Sequence, residues 1–422
     1  MANNGTRSMI GPGNEISCQI TRFLLRKFFL KNRKMLRVPK TVIKKPSLFI
    51  MTFLFLMVFA FPVFSQTGNA EKADVGAENL PDTKVSEKKS GELKVSGLLR
   101  EDAHYLYFPD NRERKDYFAN LLETRLILDR SREDWSFYAD GRLYLYSGEF
   151  QKIYGPTKLN LMRAMMRYFS PVGDFTLGKI YVNFGNSGLF NPFEIDKLVQ
   201  LSDLQYAREG LYAFEYYFPW QELSGLKAYA GFHEPFKYNP VGGISPSWHI
   251  GKFDLGGVFN HSGPGKNLAG IYFKGDALVG IQGSWGAHTD DQLEYRYSEV
   301  SGGIDYSFLE GKIVATLLFY YNENGADDYK KYVYNNESFL LAKYYGFFSF
   351  AWMIDEFWNI QLNGLANFVD RSAVIMPNVS VLITNGLRLF IQMNYYTEKK
   401  DAEFSREKSG DFYALIRVEG KF

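Results

Sequence analysis

The last eleven residues of the chain alternate between two sets of side chains. The first set is small or apolar and falls at every second position: Phe412, Ala414, Ile416, Val418, Gly420 and Phe422. The positions between them hold Tyr413, Leu415, Arg417, Glu419 and Lys421. A period of two residues is that of a β-strand with two different faces, and about ten residues suffice for a tilted strand to cross a membrane.

The same alternation recurs from Glu92 to the end of the chain. It is clear over residues 135–146, where Leu143 and Leu145 alternate with Arg142 and Tyr144, and again over residues 387–396. Apolar positions of this kind predict an outward face toward lipid, and the intervening positions predict an inner, water-facing wall. Residues 91–422 therefore form one domain in this interpretation.

Short and long connections alternate between the predicted strands. The short ones are Ser131–Asp134, Ser170–Asp174, Pro219–Ser224, Gly251–Lys252, Gly275–Asp276, Leu309–Lys312, Ile354–Glu356 and Asn385–Gly386. The long ones include Phe108–Asp116, Ser147–Thr157, Gly185–Tyr206, Glu234–Ile244, Asn322–Glu337 and Glu398–Ser409. Turns on one side and loops on the other are typical of outer-membrane barrels.

These connections predict an all-β fold, a transmembrane antiparallel up-and-down β-barrel of about 18 strands. Sixteen strands stay open as an alternative, because Ser247–Gly251 makes only a short strand. A soluble β-sandwich is disfavoured, since it explains neither the alternation of loop lengths nor the apolar outer face.

Composition agrees with strands and tight turns. Tyr, Phe and Gly number 29, 37 and 38, and aromatic residues make up 17% of the chain. The mean hydropathy of −0.24 is too polar for a helical membrane protein, whereas a β-barrel turns only alternate residues to lipid.

The N-terminal ninety residues have a different character. We interpret residues 1–34 as an upstream extension, 35–65 as a signal peptide and 66–90 as a disordered periplasmic linker. The signal consists of Lys40, Lys44 and Lys45, an apolar run over Leu48–Phe64, and the exit Ser65–Gln66. An uncleaved anchor is the alternative, because the run is long and rich in Phe.

Charge and cysteine content narrow the functions further. The single cysteine, Cys18, precedes the predicted cleavage point, so the mature chain has no thiol for disulfides or metal sites. Residues 66–422 hold 38 Lys/Arg and 46 Asp/Glu, a net acidic balance without a basic stripe. Nucleic acid is therefore not an expected partner.

The C-terminal strand resembles the insertion signature of porin-like Gram-negative outer-membrane β-barrels, which ends on an aromatic residue. Phe422 matches that terminal aromatic. The resemblance implies the bacterial outer membrane as the location, with its lipid and lipopolysaccharide and the barrel-assembly machinery as partners.

Five cations fall on the predicted inner face of four consecutive strands. They are Arg125, Arg142, Arg163, Arg167 and Lys179. They predict a basic sector of the lumen wall, although Glu123, Asp129 and Asp140 share that wall. Solvated charges in local ion pairs remain the alternative.

The longest loop, Gly185–Tyr206, follows these strands directly. This loop and the residues just after it carry four acidic side chains: Glu194, Asp196, Asp203 and Glu209. A loop of this length in a compact fold is usually functional. Folded inward, it would place carboxylates opposite the basic wall, in an arrangement that resembles the eyelet of general porins. Such a constriction favours polar or charged solutes.

The segment Gly178–Glu194 also resembles a motif of porin-like families, in which a strand leads through an aromatic-Gly pair into an Asn-Pro turn. Phe184–Gly185 and Asn191–Pro192 match in kind, while Lys179 and Ile180 stand where Arg and Gln are common. The resemblance supports the fold and names no substrate.

No catalytic, cofactor or metal motif appears. The five histidines are isolated, and His261–Ser262 lacks the two-residue spacing of the outer-membrane phospholipase site that it most nearly resembles. We therefore expect a non-enzymatic, porin-like channel for passive diffusion of small polar or charged solutes. The alternative is a structural or surface-polysaccharide-binding outer-membrane barrel.

Overall fold

The computed structural model describes residues 91–108, 116–185, 189–193, 209–233, 240–333, 340–397, 401–406 and 410–422. The predicted extension, signal peptide and linker lie outside these residues. From Leu93 onward, nearly every regular element is a β-strand.

Eighteen strands follow one another along the chain. They are β1 (Leu93–Tyr107), β2 (Tyr117–Ser131), β3 (Trp135–Gly148), β4 (Thr157–Ser170), β5 (Gly173–Ile180), β6 (Leu211–Gln221), β7 (Ser224–Phe232), β8 (Pro240–Ile250), β9 (Phe253–His261), β10 (Asn267–Asp276), β11 (Gly280–Thr289), β12 (Tyr295–Phe308), β13 (Ile313–Asn322), β14 (Tyr344–Met353), β15 (Trp358–Asn367), β16 (Ser372–Thr384), β17 (Leu387–Tyr396) and β18 (Phe412–Lys421).

Each strand pairs antiparallel with the strands before and after it, and β1 also pairs with β18. The sheet therefore closes into an up-and-down barrel, which confirms the predicted fold and the count of eighteen. Closure matters because lipid offers no hydrogen bonds to the free backbone groups of an edge strand.

The short connections and both ends of the barrel lie on one side, and the longer connections lie on the other. By the usual build of outer-membrane barrels, the short turns are periplasmic and the loops extracellular. One loop contains a short helix, α1 (Glu149–Tyr154), between β3 and β4. Two single-turn 3-10 helices, Leu309–Gly311 and Tyr329–Lys331, lie in other connections.

Strand β8 begins earlier than the sequence pattern indicated. It runs over Pro240–Ile250, whereas a loop was expected as far as Ile244. Gly242, Gly243 and Pro246 weaken the period-two signal there, so the expected strand of Ser247–Gly251 was too short.

The two faces of the strands differ as the alternation predicts. On β13, Leu317 and Phe319 are 56% and 45% exposed on the outside, while Leu318 and Tyr320, which alternate with them, are buried. The same holds on β18, where Ile416 is exposed and Leu415 is fully buried. An outward apolar band around a closed sheet is the surface that lipid requires.

Backbone closure extends to the last residue. The backbone N–H and C=O of Phe422 pair with the C=O and N–H of Gly97 at 3.0 and 2.8 Å. The Phe422 ring lies directly over Gly97, so closely that a Cβ added there would come within 2.2 Å of it. The glycine at this position lets the terminal aromatic ring lie flat against the first strand.

Three groups of buried apolar side chains line the extracellular half of the lumen. The first lies against β13–β16: Phe190, Leu318, Tyr320, Leu340, Ala342, Tyr345, Phe347, Leu365, Val374, Met376 and Phe404. The second lies against β18 and β1–β3: Leu106, Phe108, Tyr117, Ala119, Leu121, Tyr144, Tyr146, Phe150, Tyr413 and Leu415. The third lies against β5–β10: Ile180, Val182, Phe184, Phe193, Leu211, Ala213, Tyr229, Val241, Val258 and Leu268. Each group joins inward-facing strand residues to side chains from a connection.

The assignment of faces makes a direct prediction on β13. Leu317→Lys puts a charge toward lipid near the middle of the strand, and we expect it to destabilise the barrel by about 2–4 kcal/mol. Thr316→Lys, one residue earlier, places the same charge inside and beside its strand partner Asp305, so its effect should be much smaller. Equal losses in refolding titrations into lipid would show that the faces are assigned wrongly.

Candidate functional site

A continuous network of ion pairs runs along the inner wall of β18, β1, β2 and β3. Its carboxylates are Asp102, Glu123 and Asp140, which are at most 1% exposed. Its guanidinium groups are those of Arg100, Arg125, Arg142 and Arg417. All seven residues occupy inward positions of their strands, so strand register alone brings them together.

The network crosses the seam between the first and last strands. Asp102 and Arg417 lie directly opposite each other in the β1–β18 register. Arg417 donates through Nε and Nη2 to the two carboxylate oxygens of Asp102, at 2.8 and 3.0 Å. This two-pronged geometry is the strongest form of a guanidinium–carboxylate bond. The Arg417 guanidinium also lies over the Phe390 ring, 5.6 Å from its centre.

From the seam the network continues by shared partners. Arg100 lies 3.4 Å from Asp102 and 2.9 Å from Glu123, and Glu123 in turn lies 3.1 Å from Arg142. Arg142 and Arg125 then share Asp140, at 3.2 and 2.9 Å. Four cations thus face three carboxylates. Arg125 and Arg142 are therefore largely neutralised, so this part of the wall is a network of ion pairs with a small positive excess.

Arg163 and Arg167 reach their positions through a β-bulge. The β3–β4 register shifts between Asp140 and Gly141, which leaves Met162 as an extra residue on β4. Without this shift, the alternation set by Leu159 and Leu161 would turn Arg163 toward lipid. Instead, the Arg163 guanidinium lies over the Tyr181 ring, 5.5 Å from its centre. Arg167 donates from Nε to Thr176 Oγ1 at 3.3 Å.

Lys179 and Glu209 form a separate pair. Lys179 follows Gly178, whose φ is +133°. By its pairing with β6, it lies on the same face of β5 as the outward-facing Leu177. Its ammonium group donates to the backbone oxygen of Leu161 at 2.7 Å and pairs with the Glu209 carboxylate. Lys179 is thus not among the ion pairs of β18–β3 that join Arg125 and Arg142.

Glu209 lies on the side of the predicted cations and not opposite them. It is two residues before β6, and its neighbour Gly210 donates its backbone N–H to Met162 on β4. This tether keeps the Glu209 carboxylate against β4 and β5. Glu194, Asp196 and Asp203 lie outside the described residues.

The described part of the β5–β6 connection lies inside the barrel. Phe184 packs on Tyr229 of β7, with ring centres 5.5 Å apart. Phe190 stacks on Tyr320 of β13 at 5.0 Å. Both Tyr229 and Tyr320 are buried on the inner face of the wall.

Phe193 anchors the same segment between those two contacts. It approaches Gly270 of β10, where an added Cβ would lie 2.6 Å from its ring, and its ring centre is 6.1 Å from that of Tyr272. Asn191 fixes the turn, because its Oδ1 accepts from the Phe193 N–H and its Nδ2 donates to the Phe184 carbonyl. The Asn-Pro turn recognised in the sequence therefore directs aromatic side chains onto the inner wall from β7 to β13.

The inner face of β14–β17 differs from the ion-pair network, because its polar side chains are neutral amides. Gln361 donates to Ser349 and Asn363 at 3.1 and 3.0 Å, and Gln392 donates to Asn394 at 2.8 Å. The lumen wall therefore has a charged sector and an amide sector, a division that the sequence analysis did not identify. Counting Asn and Gln at inward positions would have found it.

Water exposure of the inner wall increases toward the periplasmic end. On β9, Asn260 and Val258 are buried near the loops, whereas Asp254 near the turn is exposed. On β10, Leu268 is buried, whereas Lys274 and Asp276 are exposed. Inward-folded connections thus cover the inner wall of the extracellular half of the lumen, whereas the inner wall of the periplasmic half is charged and more exposed to water.

Within the described residues, no helix is long and apolar enough to cross a membrane. Nor does that part of the chain bring together three or more His, Cys, Asp or Glu side chains able to hold a metal ion.

The seam ion pair gives a testable prediction. Arg417→Met alone leaves the buried Asp102 carboxylate without its main partner, and we expect a loss of about 3–5 kcal/mol in folding stability. Adding Asp102→Leu should recover much of that loss, since Arg100 keeps Glu123 as a partner. If the loss of folding stability in the double variant equalled the sum of the losses in the two single variants, the two residues would not be energetically coupled.

Comparison with solved structures shows the fold. OccAB4 of Acinetobacter baumannii aligns with a TM-score of 0.54 and 10% identity, over 78% of this chain and 98% of that one. OccK11 (OpdR) of Pseudomonas aeruginosa aligns at 0.52 and 9%, over 80% and 98%. Wzi of Escherichia coli, described as a carbohydrate-binding outer-membrane β-barrel involved in group 1 capsule assembly, aligns at 0.50 and 13%, over 77% and 83%. No family model and no curated sequence matches. The chain therefore has the porin-like barrel fold of the bacterial outer membrane.

Proposed function

We propose that this protein is a non-enzymatic outer-membrane channel through which small polar or charged solutes diffuse passively. The observation that carries the proposal is the two-faced wall of a closed barrel with eighteen strands. Barrels of 16–18 strands enclose an aqueous lumen, whereas eight strands are filled by side chains. Here the inner face is charged or amide-bearing over the ion-pair network and over β14–β17.

The β5–β6 connection supports a selective constriction. Phe184, Phe190 and Phe193 hold its described part against the inner wall, so a solute passing through the barrel meets it. Glu194 and Asp196, which follow directly, and Asp203 are proposed members of that constriction. Their carboxylates would act together with the small positive excess of the ion-pair network to sort solutes by charge.

The proposal includes partners for assembly and location. Outer-membrane lipid and lipopolysaccharide cover the outward apolar band, and the barrel-assembly machinery is proposed to read the C-terminal strand through Phe422. That ring is 55% exposed beside Gly97, so it is accessible on the outer face.

A structural or surface-polysaccharide-binding barrel is the second candidate. The observation that favours it is the packing of the extracellular half of the lumen. Three apolar groups and buried amides there leave few inward-facing side chains exposed to water. Wzi is described as a carbohydrate-binding barrel, and its fold is similar.

Conductance in planar lipid bilayers separates the two candidates. Purified, heat-modifiable protein should give discrete steps of ion conductance if it is a channel. Folded protein that inserts and gives no conductance over the full range of pH would contradict the channel and favour the binding barrel.

Charge selectivity tests the role of the basic side chains. Replacing Arg125, Arg142 and Arg163 with Ala removes three positive charges beside buried carboxylates, so we expect selectivity to shift toward cations. The shift should shrink in 1 M salt, where screening lengths fall to about 3 Å. Arg130→Ala is the control, with the shift compared per charge removed, because Arg130 lies outside the ion-pair network, beside Trp135 near the periplasmic turn. Equal shifts from the triple variant and the control would contradict this role.

A further inference from the structure

Three extracellular connections meet over the β13–β16 sector of the mouth. They are the β13–β14 connection, the β15–β16 turn and the β17–β18 connection, described over 323–333 with 340–343, 368–371, and 401–406 with 410–411. Glu403 lies where they meet and is buried together with Asp370, which is fully buried.

Glu403 joins the three connections through its side chain and its backbone N–H. Its Oε1 accepts from the Leu341 backbone N–H at 3.2 Å. Its Oε2 accepts from the Tyr345 hydroxyl at 2.6 Å and from Asn367 Nδ2 at 2.7 Å. Its own backbone N–H donates to Asp370 Oδ2 at 2.7 Å. Each of these bonds reaches a different part of the neighbouring connections and strand ends.

The next residue inserts into the barrel. The backbone N–H of Phe404 donates to Ser372 Oγ at 3.1 Å, and its ring is buried among Tyr345, Phe347 and Leu365. Those side chains face inward on β14 and β15, and Phe190 of the β5–β6 connection packs in the same group. The segment 401–406 therefore covers one sector of the extracellular mouth and shares an apolar group with Phe190 of the proposed constriction.

We propose that the segment 401–406 is a latch on this mouth, and that protonation of the Glu403 carboxyl determines how firmly it is held. Control of conductance by this latch rests on the proposed channel function. The latch itself is a property of the loops and can be measured without conductance.

The surroundings of Glu403 favour its neutral form. The titratable groups that face it are Asp370 on the β15–β16 turn, Tyr345 on β14 and Tyr332 on the β13–β14 connection. Burial, aided by the negative charge of Asp370, raises the pKa of Glu403 from 4.5 to about 7, against the opposite effect of the hydrogen bonds from Tyr345, Leu341 and Asn367.

A carboxyl whose pKa is higher in the closed state than in the open state stabilises closure at low pH. The stabilisation is complete below the ordinary pKa of 4.5 and is lost as the pH rises to about 7. Between these values, the ratio of closed to open latch falls by up to about tenfold per pH unit. Acid therefore holds the latch closed over this sector of the mouth, and neutral conditions loosen it.

Hydrogen exchange of the full-length protein in detergent or lipid tests the latch directly. The reporters are the backbone amides of Leu341, Glu403 and Phe404, which donate to side chains inside the cluster. After correction for intrinsic exchange, wild-type protection should fall by about tenfold or more from pH 5 to pH 7.5. Glu403→Gln, which mimics the protonated acid, should keep high protection at both values.

Two further variants sharpen the result. Asp370→Asn removes the neighbouring negative charge, so the fall in protection should move to lower pH. Glu294→Gln neutralises an exposed acid on another loop and should leave the wild-type pH profile unchanged. Wild-type protection that does not change with pH, or the same fall in Glu403→Gln, would overturn the latch even if the protein conducts. The wild-type profile remains decisive if a variant fails to fold.

Bilayer conductance then links the latch to the channel. Wild-type conductance should rise from pH 5 to pH 7.5, and Glu403→Gln should stay low at both values. If conductance does not change with pH while amide protection in the loops does, the latch does not gate the channel, and the proposed channel function would stand. If the protein never conducts but amide protection still depends on pH, the channel function would be wrong and the pH-dependent latch would stand.

Discussion

Closure of the sheet between β1 and β18 is the constraint on which the rest of the structure depends. In lipid, an unpaired edge would leave a row of backbone groups without hydrogen-bond partners, so the first and last strands must meet. Backbone pairing runs to Phe422, and the Asp102–Arg417 pair sits on the inside of that seam. Burial of both charges fixes the register, because a shift by one residue would turn one of them toward lipid.

Closure also creates an interior that the connections can fill. Once eighteen strands form a ring, each inward residue faces the lumen, and long loops can return into it. Phe190 and Phe193 do so from the β5–β6 connection and Phe404 from the β17–β18 connection, and all three pack on inward-facing side chains. The interior thus has a charged periplasmic half that is more exposed to water, and it leads to a mouth shaped by loops, one of which we propose is held through Glu403.

Much of the fold could be predicted from the sequence because the alternation of outward and inward residues is local. Leu317 and Leu318 differ in exposure as their positions predict, and most short turns lie where polar and glycine residues interrupt the pattern. The predicted turn at Gly275–Asp276 is wrong, because both residues pair with β11 as the end of β10 and the chain turns over residues 277–279. The bulge at Met162 and the start of β8 escaped prediction, since both depend on contacts with neighbouring strands. The ion pairs across β18, β1, β2 and β3 could be predicted only from the pairing register of these strands, which periodicity alone does not fix. The Glu403 cluster joins segments about sixty residues apart, and nothing in the local pattern marks it.

Cysteine cross-linking tests most directly whether the described part of the β5–β6 connection lies inside the barrel. Only Cys18 is present in the chain, ahead of the predicted cleavage point, so introduced pairs report cleanly. Phe190→Cys with Tyr320→Cys should be joined by a short bifunctional thiol cross-linker in intact outer membranes, because the two native side chains meet with ring centres 5.0 Å apart. Phe190→Cys with Tyr144→Cys, which belongs to another apolar group, should not. Cross-linking of neither pair, or of both equally, would contradict a loop fixed against the inner wall of β13.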